Sequence, residues 1–336
     1  MAFHKICIYG VGAIGGWIGA RLASQPGVRL SAVARGETLR ALQTHGLRLQ
    51  AGAPSNEAAQ CVAVQASDEP ATLGVQDLVV LAVKAPAMPE VAARIAPLIG
   101  PDTVVLTAMN GVPWWFLHGF GGAHADTALS SVDPGGRIAQ GIPARHIVGG
   151  VVHASCSVRG PGEIVHHFGN GLIIGEPSGA PQPRTQALQA LLTQAGFEVT
   201  LSAQIQQDIW YKLWGNMTVN PVSALTGATT DRIMADPLVL SFISSVMLEA
   251  RAIGERIGIP IAQQPDDRHA ITRKLGAFKT SMLQDVQAGR AVELDALVSS
   301  VRELGQITGV PTPFTDALLG LARVHAQVHG LYPQPE

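Results

Sequence analysis

Cysteine is scarce in this 336-residue chain, and both charge and aromatic rings are thinly spread. Only Cys7, Cys61 and Cys156 occur. They lie far apart and are odd in number, which excludes a disulfide framework and offers no zinc-like spacing. Charged residues make up 14% of the chain and the formal net charge is −2. That balance provides no basic surface for nucleic acid or for anionic lipid. Hydrophobic residues reach 47% and the mean hydropathy is +0.23, yet no apolar run reads as long enough to cross a membrane. The opening MAFHKICIYG lacks the long apolar segment and cleavage site of a secretory signal, so a reducing cytoplasm is expected. Repeats and low-complexity segments are also missing. What remains is a length suited to one large or two medium domains with ample core.

Lys5 to Tyr9 read as a short buried strand, followed at once by Gly10-Val11-Gly12-Ala13-Ile14-Gly15 and an Ala-rich helical pattern to about Ala23. Apolar runs at Arg29 to Ala34, Leu78 to Val83 and Thr103 to Ala108 read as further buried strands, with helical stretches such as Glu90 to Leu98 between them. This alternation predicts an α/β domain with a doubly wound, mostly parallel sheet covered on both faces. Short β-like runs from Ile147 to Glu176 are expected to extend that sheet. A helix near Arg184 to Ala195 and the strand-like GFEVTLS close the first half. The remainder reads as nearly all helix: Gln206 to Leu225, Pro237 to Ile257, Ala277 to Gln287, Glu293 to Thr308 and Pro313 to Val328. The boundary falls near Ser202, giving residues 1–202 as a nucleotide-binding domain and 203–336 as a helical substrate domain.

G-x-G-x-x-G is a weak signal alone, but here it has a strand before it and a helix after it, the context dinucleotide binding requires. Gly10 permits the tight turn, Gly12 lets the backbone approach a pyrophosphate, and Gly15 allows close helix–strand packing. Val11, Ala13 and Ile14 complete the loop, and the new helix aims its free N–H groups at the phosphates. An acidic residue ending the second strand would favour NAD; this chain has Arg35 there. A guanidinium suits the 2′-phosphate of NADP through paired, charge-assisted bonds. Lys84, ending a neighbouring strand, is a candidate second cation, whereas nearby Glu37 weighs the other way. Asn110-Gly111 follows another strand, where it is either a plain turn or a contact to the nicotinamide ribose or substrate.

Lys212, Asn216 and Asn220 fall four apart in the otherwise apolar IWYKLWGNMTVNP. That spacing stacks an amine and two carboxamides along one helix face. Such a row is equipped to grip a small oxygen-rich substrate and give it a proton. The plainer alternative is a few polar residues at a domain boundary.

Taken in order, GVGAIGG, VARGETL, AVK, MNGV, PGEIVHH, KLWGNMTVNPVSALTG, SMLQDVQAGRAVELD and GVPTP resemble the ketopantoate reductase (2-dehydropantoate 2-reductase) family over nearly the whole chain. The glycines specify little; the Lys-x3-Asn-x3-Asn-Pro run with SMLQD and its following Glu is more selective. The resemblance implies a Rossmann domain followed by a helical domain like the C-terminal domain of 6-phosphogluconate dehydrogenase, with the active site in the cleft. It implies reduction of a 2-keto acid by NADPH to a 2-hydroxy acid, in pantothenate biosynthesis for members with the named activity. By position, Lys212 would be the proton donor, Asn216 and Asn220 would hold the substrate, and Ser281 would contact its carboxylate. Glu293 would lie beside the lysine and cofactor, Asn110 would touch both ligands, and Ser155 would line the cofactor site. The chain departs from the family pattern at Met109, at Ala87, and at Thr230, where the family carries a third substrate-binding Asn. Its Val112-Pro113-Trp114-Trp115-Phe116 run is also bulkier than usual, as core or as a reshaped acyl pocket.

Two other readings compete: a reductase of the same architecture for a bulkier or aromatic 2-keto acid, and a non-enzymatic NADPH-binding sensor. No metal is expected, because His166 and His167 are adjacent on a strand and point to opposite faces. Cys156 reads as buried filler rather than a nucleophile. The Pro237 to Ile257 helix reads as core and is also a candidate homodimer surface.

Overall fold

The computed structural model describes residues 2–52 and 59–334. The chain forms two compact units, residues 1–109 with 137–205, and residues 110–136 with 206–336. The first unit is not one continuous stretch of chain. Residues 110–136 leave the sheet and pack with the helices.

The first unit contains, in chain order, β1 (Lys5–Tyr9), α1 (Ala13–Ala23), β2 (Arg29–Val33), α2 (Gly36–His45), β3 (Leu47–Ala51), β4 (Gln60–Val62), β5 (Gln65–Ser67), β6 (Gln76–Leu81), α3 (Met88–Arg94), β7 (Ile99–Thr107), α4 (Arg137–Gly141), β8 (Ile147–Gly160), β9 (Glu163–Gly175), α5 (Pro183–Gln194) and β10 (Glu198–Leu201). The strands form one sheet in the order β4-β3-β9-β8-β7-β6-β1-β2-β5, with β10 also on β9. From β5 to β8 every pairing is parallel, which is the doubly wound order expected of a dinucleotide-binding domain. The run from Ile147 does extend the sheet, as the long antiparallel β8–β9 pair. β1 lies between β2 and β6 with Ile6, Cys7 and Ile8 fully buried, which is why its sequence shows no polar alternation. Against the sheet, α1 seats Trp17 edge-on to Phe197, with ring centroids 4.8 Å apart.

The second unit contains α6 (Ile205–Thr226), which begins at the last residue of the first unit and continues through Pro221, then α7 (Thr230–Ala235), α8 (Pro237–Arg256), α9 (Pro265–Arg273), α10 (Ser281–Gln287), α11 (Ser300–Thr308) and α12 (Pro313–Val328). Contrary to the reading of the hydropathy, α8 is long and apolar enough to cross a membrane by length and composition. It is instead a packing helix of this unit: Ile243, Val246, Met247, Ala250 and Ile253 are buried, and α7, α9, α11 and α12 pack on it. The stretch expected to be a helix from Ala277 starts only at Ser281, because the Thr280 hydroxyl accepts from Leu283 N–H and caps the helix there. Ahead of α11 the backbone makes a π-helical turn, Asp295–Ser299, rather than a plain α-helix. Within that turn the Ala296 carbonyl accepts the Val112 N–H.

Candidate active site

A cavity of about 240 Å³ opens at the β1–α1 turn, lined among others by Gly10, Val11, Gly12, Arg35, Glu90 and Arg94. Gly10 sits at φ +97°, a conformation L side chains rarely adopt. A Cβ on Gly15 would collide with the Gly10 carbonyl oxygen, so only glycine lets α1 start this close to the turn. Above Gly12, by contrast, a Cβ would meet nothing within 4 Å. The approach to the backbone is open there, and the 11-residue α1 has no side chain capping its first N–H groups. Dinucleotide pyrophosphate fits this cradle.

Arg35 stands on the cavity wall and donates to both carboxylate oxygens of Glu90, at 2.7 and 2.8 Å. Glu90 also faces Arg94, one helical turn on, at 3.7 Å. Arg94 also bonds Glu69, at 3.2 Å, so the two guanidiniums are matched by two carboxylates, and what the wall offers an extra phosphate is their forked donors. Lys84 is the second cation expected from the sequence. The lining residue is Arg94, and neither Lys84 nor Ser155 lines the cavity. The signal for Arg94 was available in its i,i+4 spacing from Glu90 on α3.

In the second unit α6 carries the polar row, with Asn216 half-buried and Asn220 buried. The rest of the helix explains why that row faces inward: Leu213, Trp214 and Met217 are buried around it, and Trp214 Nε1 donates to the Met247 carbonyl of α8 at 2.7 Å. Lys212 Nζ donates to Asn110 Oδ1 at 2.9 Å. Asn110 is held by its neighbour: Gly111, at φ +82°, lies so close to Ala296 that a Cβ would sit 2.5 Å from the Ala296 carbonyl oxygen. Burial brings the Lys212 amine down to about 8; the Glu293 carboxylate pulls it upward and the Arg268 guanidinium pushes it further down. Glu293 is itself buried, at the entry to the π-helical turn.

Residues 6–179 match the family described as "Ketopantoate reductase PanE/ApbA", and residues 204–326 match its C-terminal counterpart. The chain belongs to the ketopantoate reductase family. A 2-dehydropantoate 2-reductase of Mesorhizobium japonicum is 44% identical over 98% of this chain and 99% of its own. A crystal structure assigned to the ketopantoate reductases, from Ralstonia solanacearum MolK2, is 55% identical, with a TM-score of 0.93 over 98% of this chain and all of that one. The same fold, at 21% identity and a TM-score of 0.81, occurs in a D-mandelate dehydrogenase solved with NADH and anilino(oxo)acetate, over 97% of this chain and 99% of that one.

Within this ketopantoate reductase chain, Asn110, Lys212 and Glu293 form one cluster. Ser281 is the exposed first residue of α10. Thr230 has a structural role: its hydroxyl donates to the Gly276 carbonyl and its N–H to Phe278 O, which fixes the segment leading to Thr280 and Ser281. Trp114, Trp115 and Phe116 are buried, with Phe116 against Trp210 at 5.9 Å between ring centroids, so they are core. The histidine pair faces apart, as alternation requires: His166 stacks on Trp17 and His167 bonds Ser157 Oγ. Burial pushes the Cys156 thiol up to about 12, far from a thiolate at neutral pH.

Proposed function

We propose that this protein reduces a 2-keto acid to the 2-hydroxy acid with NADPH, and that the substrate is 2-dehydropantoate, giving pantoate for pantothenate biosynthesis. The observation that carries this reading is the Lys212 amine, brought down to about 8 and anchored on Asn110 beside a buried Glu293. When bound, the reduced nicotinamide supplies the hydride. The pyrophosphate belongs on Gly10 to Gly15, and the 2′-phosphate belongs against Arg35 and Arg94. Lys212 donates a hydrogen bond to the ketone oxygen, stabilises the negative charge as it develops there, and then gives that oxygen its proton. Asn110 keeps the amine aimed and Glu293 keeps it cationic. Asn216 and Asn220 hold the substrate's oxygens, and the Ser281 hydroxyl serves its carboxylate.

A second reading, reduction of a bulkier 2-keto acid, draws on Thr230, whose short side chain is engaged with backbone in place of a substrate-binding carboxamide. NADPH oxidation by the purified protein, followed against 2-dehydropantoate and a panel of larger and aromatic 2-keto acids, separates the two. Turnover highest with 2-dehydropantoate supports the first, turnover confined to a bulkier acid supports the second, and tight NADPH binding without turnover overturns both.

A further inference from the structure

Beside the polar row lies a cation that the proposed mechanism leaves unused. Arg268, on α9, lays its guanidinium 5.5 Å from the centre of the Tyr211 ring and directly over Gly215. A Cβ at residue 215 would stand 2.6 Å from Arg268 Nε and 2.8 Å from Nη2. Tyr211 and Gly215 form the helical row next to Lys212 and Asn216, so the α9 guanidinium lies over the row beside the one that carries the amine. Arg268 Nε is buried and makes no hydrogen bond among the described residues. The guanidinium is near enough to the Lys212 amine to push it down, and the group it lies against is the face of the Tyr211 ring rather than a carboxylate.

Two cations sharing a partly desolvated site, one of them without an acid, form an arrangement that costs stability unless an anion completes it. A ring face offsets part of that cost, but it satisfies none of the in-plane N–H donors. We propose that Arg268 is a second carboxylate-recognition residue of this site, adding to the Ser281 hydroxyl a guanidinium that grips the anionic end of the 2-keto acid with two parallel donors. The inference rests on the 2-keto acid reading above and deepens it. A 2-keto acid carries its carboxylate on the carbon next to the ketone, so amine and guanidinium on adjacent rows match the two oxygen-bearing ends of one small molecule. Arg268 thereby selects for the acid, whereas Lys212 acts on the ketone.

Steady-state kinetics with the 2-keto acid and with its uncharged amide test this directly. The wild-type enzyme favours the acid over the amide by about 10²-fold in kcat/KM, the size of a buried charge pair lost. Arg268→Gln raises KM for the acid by about 10²-fold, leaves KM for NADPH unchanged and brings the acid-to-amide preference close to one. Arg268→Lys keeps the charge without the fork and recovers part of the preference. Gly215→Ala leaves Arg268 in place but displaces the guanidinium, the movable end of a flexible side chain, and shifts KM in the same direction; it carries the test if Arg268→Gln does not fold. An unchanged KM and preference in whichever of these variants folds overturns the assignment of Arg268 while leaving the reductase intact. A wild-type enzyme that reduces no 2-keto acid overturns the functional reading itself.

Discussion

Lys212 answers two opposed demands. In the proposed reduction it has to be an ammonium when the ketone oxygen gains charge, yet it must release that proton readily, and burial, opposed by Glu293 and reinforced by Arg268, brings it to about 8. Lys212→Ala should lower turnover by roughly 10²–10⁴-fold, the usual span of a general-acid contribution, and leave NADPH binding unchanged; full turnover in that variant removes the amine from the reaction. If the amine is the proton donor proposed above, its protonated form is the active one, and kcat/KM for the acid should be level below about 8 and fall as pH rises through it. Glu293 raises the amine; Glu293→Gln should therefore move that fall to lower pH, and a pH profile with an unmoved limb counts against the pairing. Arg35 has a different task. Its Nη1, donating to both oxygens of Glu90, keeps the guanidinium at the cavity wall, and Arg35→Ala should weaken NADPH by about 10–100-fold, the value of a charged hydrogen bond. NADH should change little; equal losses for both nucleotides would refute the 2′-phosphate role.

At the scale of single elements, α6 does most to build the site, because its polar row is held inward by apolar residues on its other faces. Trp214 is the chief anchor, fully buried and bonded to the Met247 carbonyl of α8. Trp214→Ala should cost about 3–5 kcal/mol of stability, read from urea denaturation, and a loss well below that would mean α6 is located by its other contacts. Elements of this kind were legible in the sequence. β1 and α12 fall where the apolar runs put them, since a strand buried on both faces and a helix with one apolar stripe each leave a long periodic trace. α2, α7 and α9 and the short β3, β4 and β5 escaped, being brief, polar or determined by the pairing partner rather than by their own residues. The π-helical turn after Glu293 escaped for another reason: it accompanies a bond from Val112 to Ala296, residues far apart in the chain. The chemistry followed the same division. Lys212, Asn216 and Asn220 stand out by local spacing, and Arg94 in part by its distance from Glu90, whereas Arg268 acquires meaning only from what the fold places beside it.

Over the whole molecule, the least legible feature is the excursion of residues 110–136, because a reading along the chain assigns each stretch to the domain of its sequence neighbours. The structure shows why they belong with the helices. Val112 N–H bonds the Ala296 carbonyl, Gln206 donates to the Phe116 carbonyl, and the N–H groups of Ser130 and Ser131 both donate to the Glu303 carboxylate of α11. Phe116 adds its ring against Trp210. These bonds put Asn110, the partner of Lys212, in the same unit as the amine it orients. Cooperative opening follows contact rather than chain order, so native-state hydrogen exchange in mild denaturant should group the 112–131 amides with α6 and α11 at a common opening free energy. The strands β1, β2 and β6, whose ends lead into the cavity, should open separately and be the ones NADPH protects, by about 2.7 kcal/mol at a hundredfold excess over its Kd. Amides of 112–131 that instead exchange in step with β7, the strand immediately before them, would dissolve the division of the chain described here and detach Asn110 from the lysine it holds.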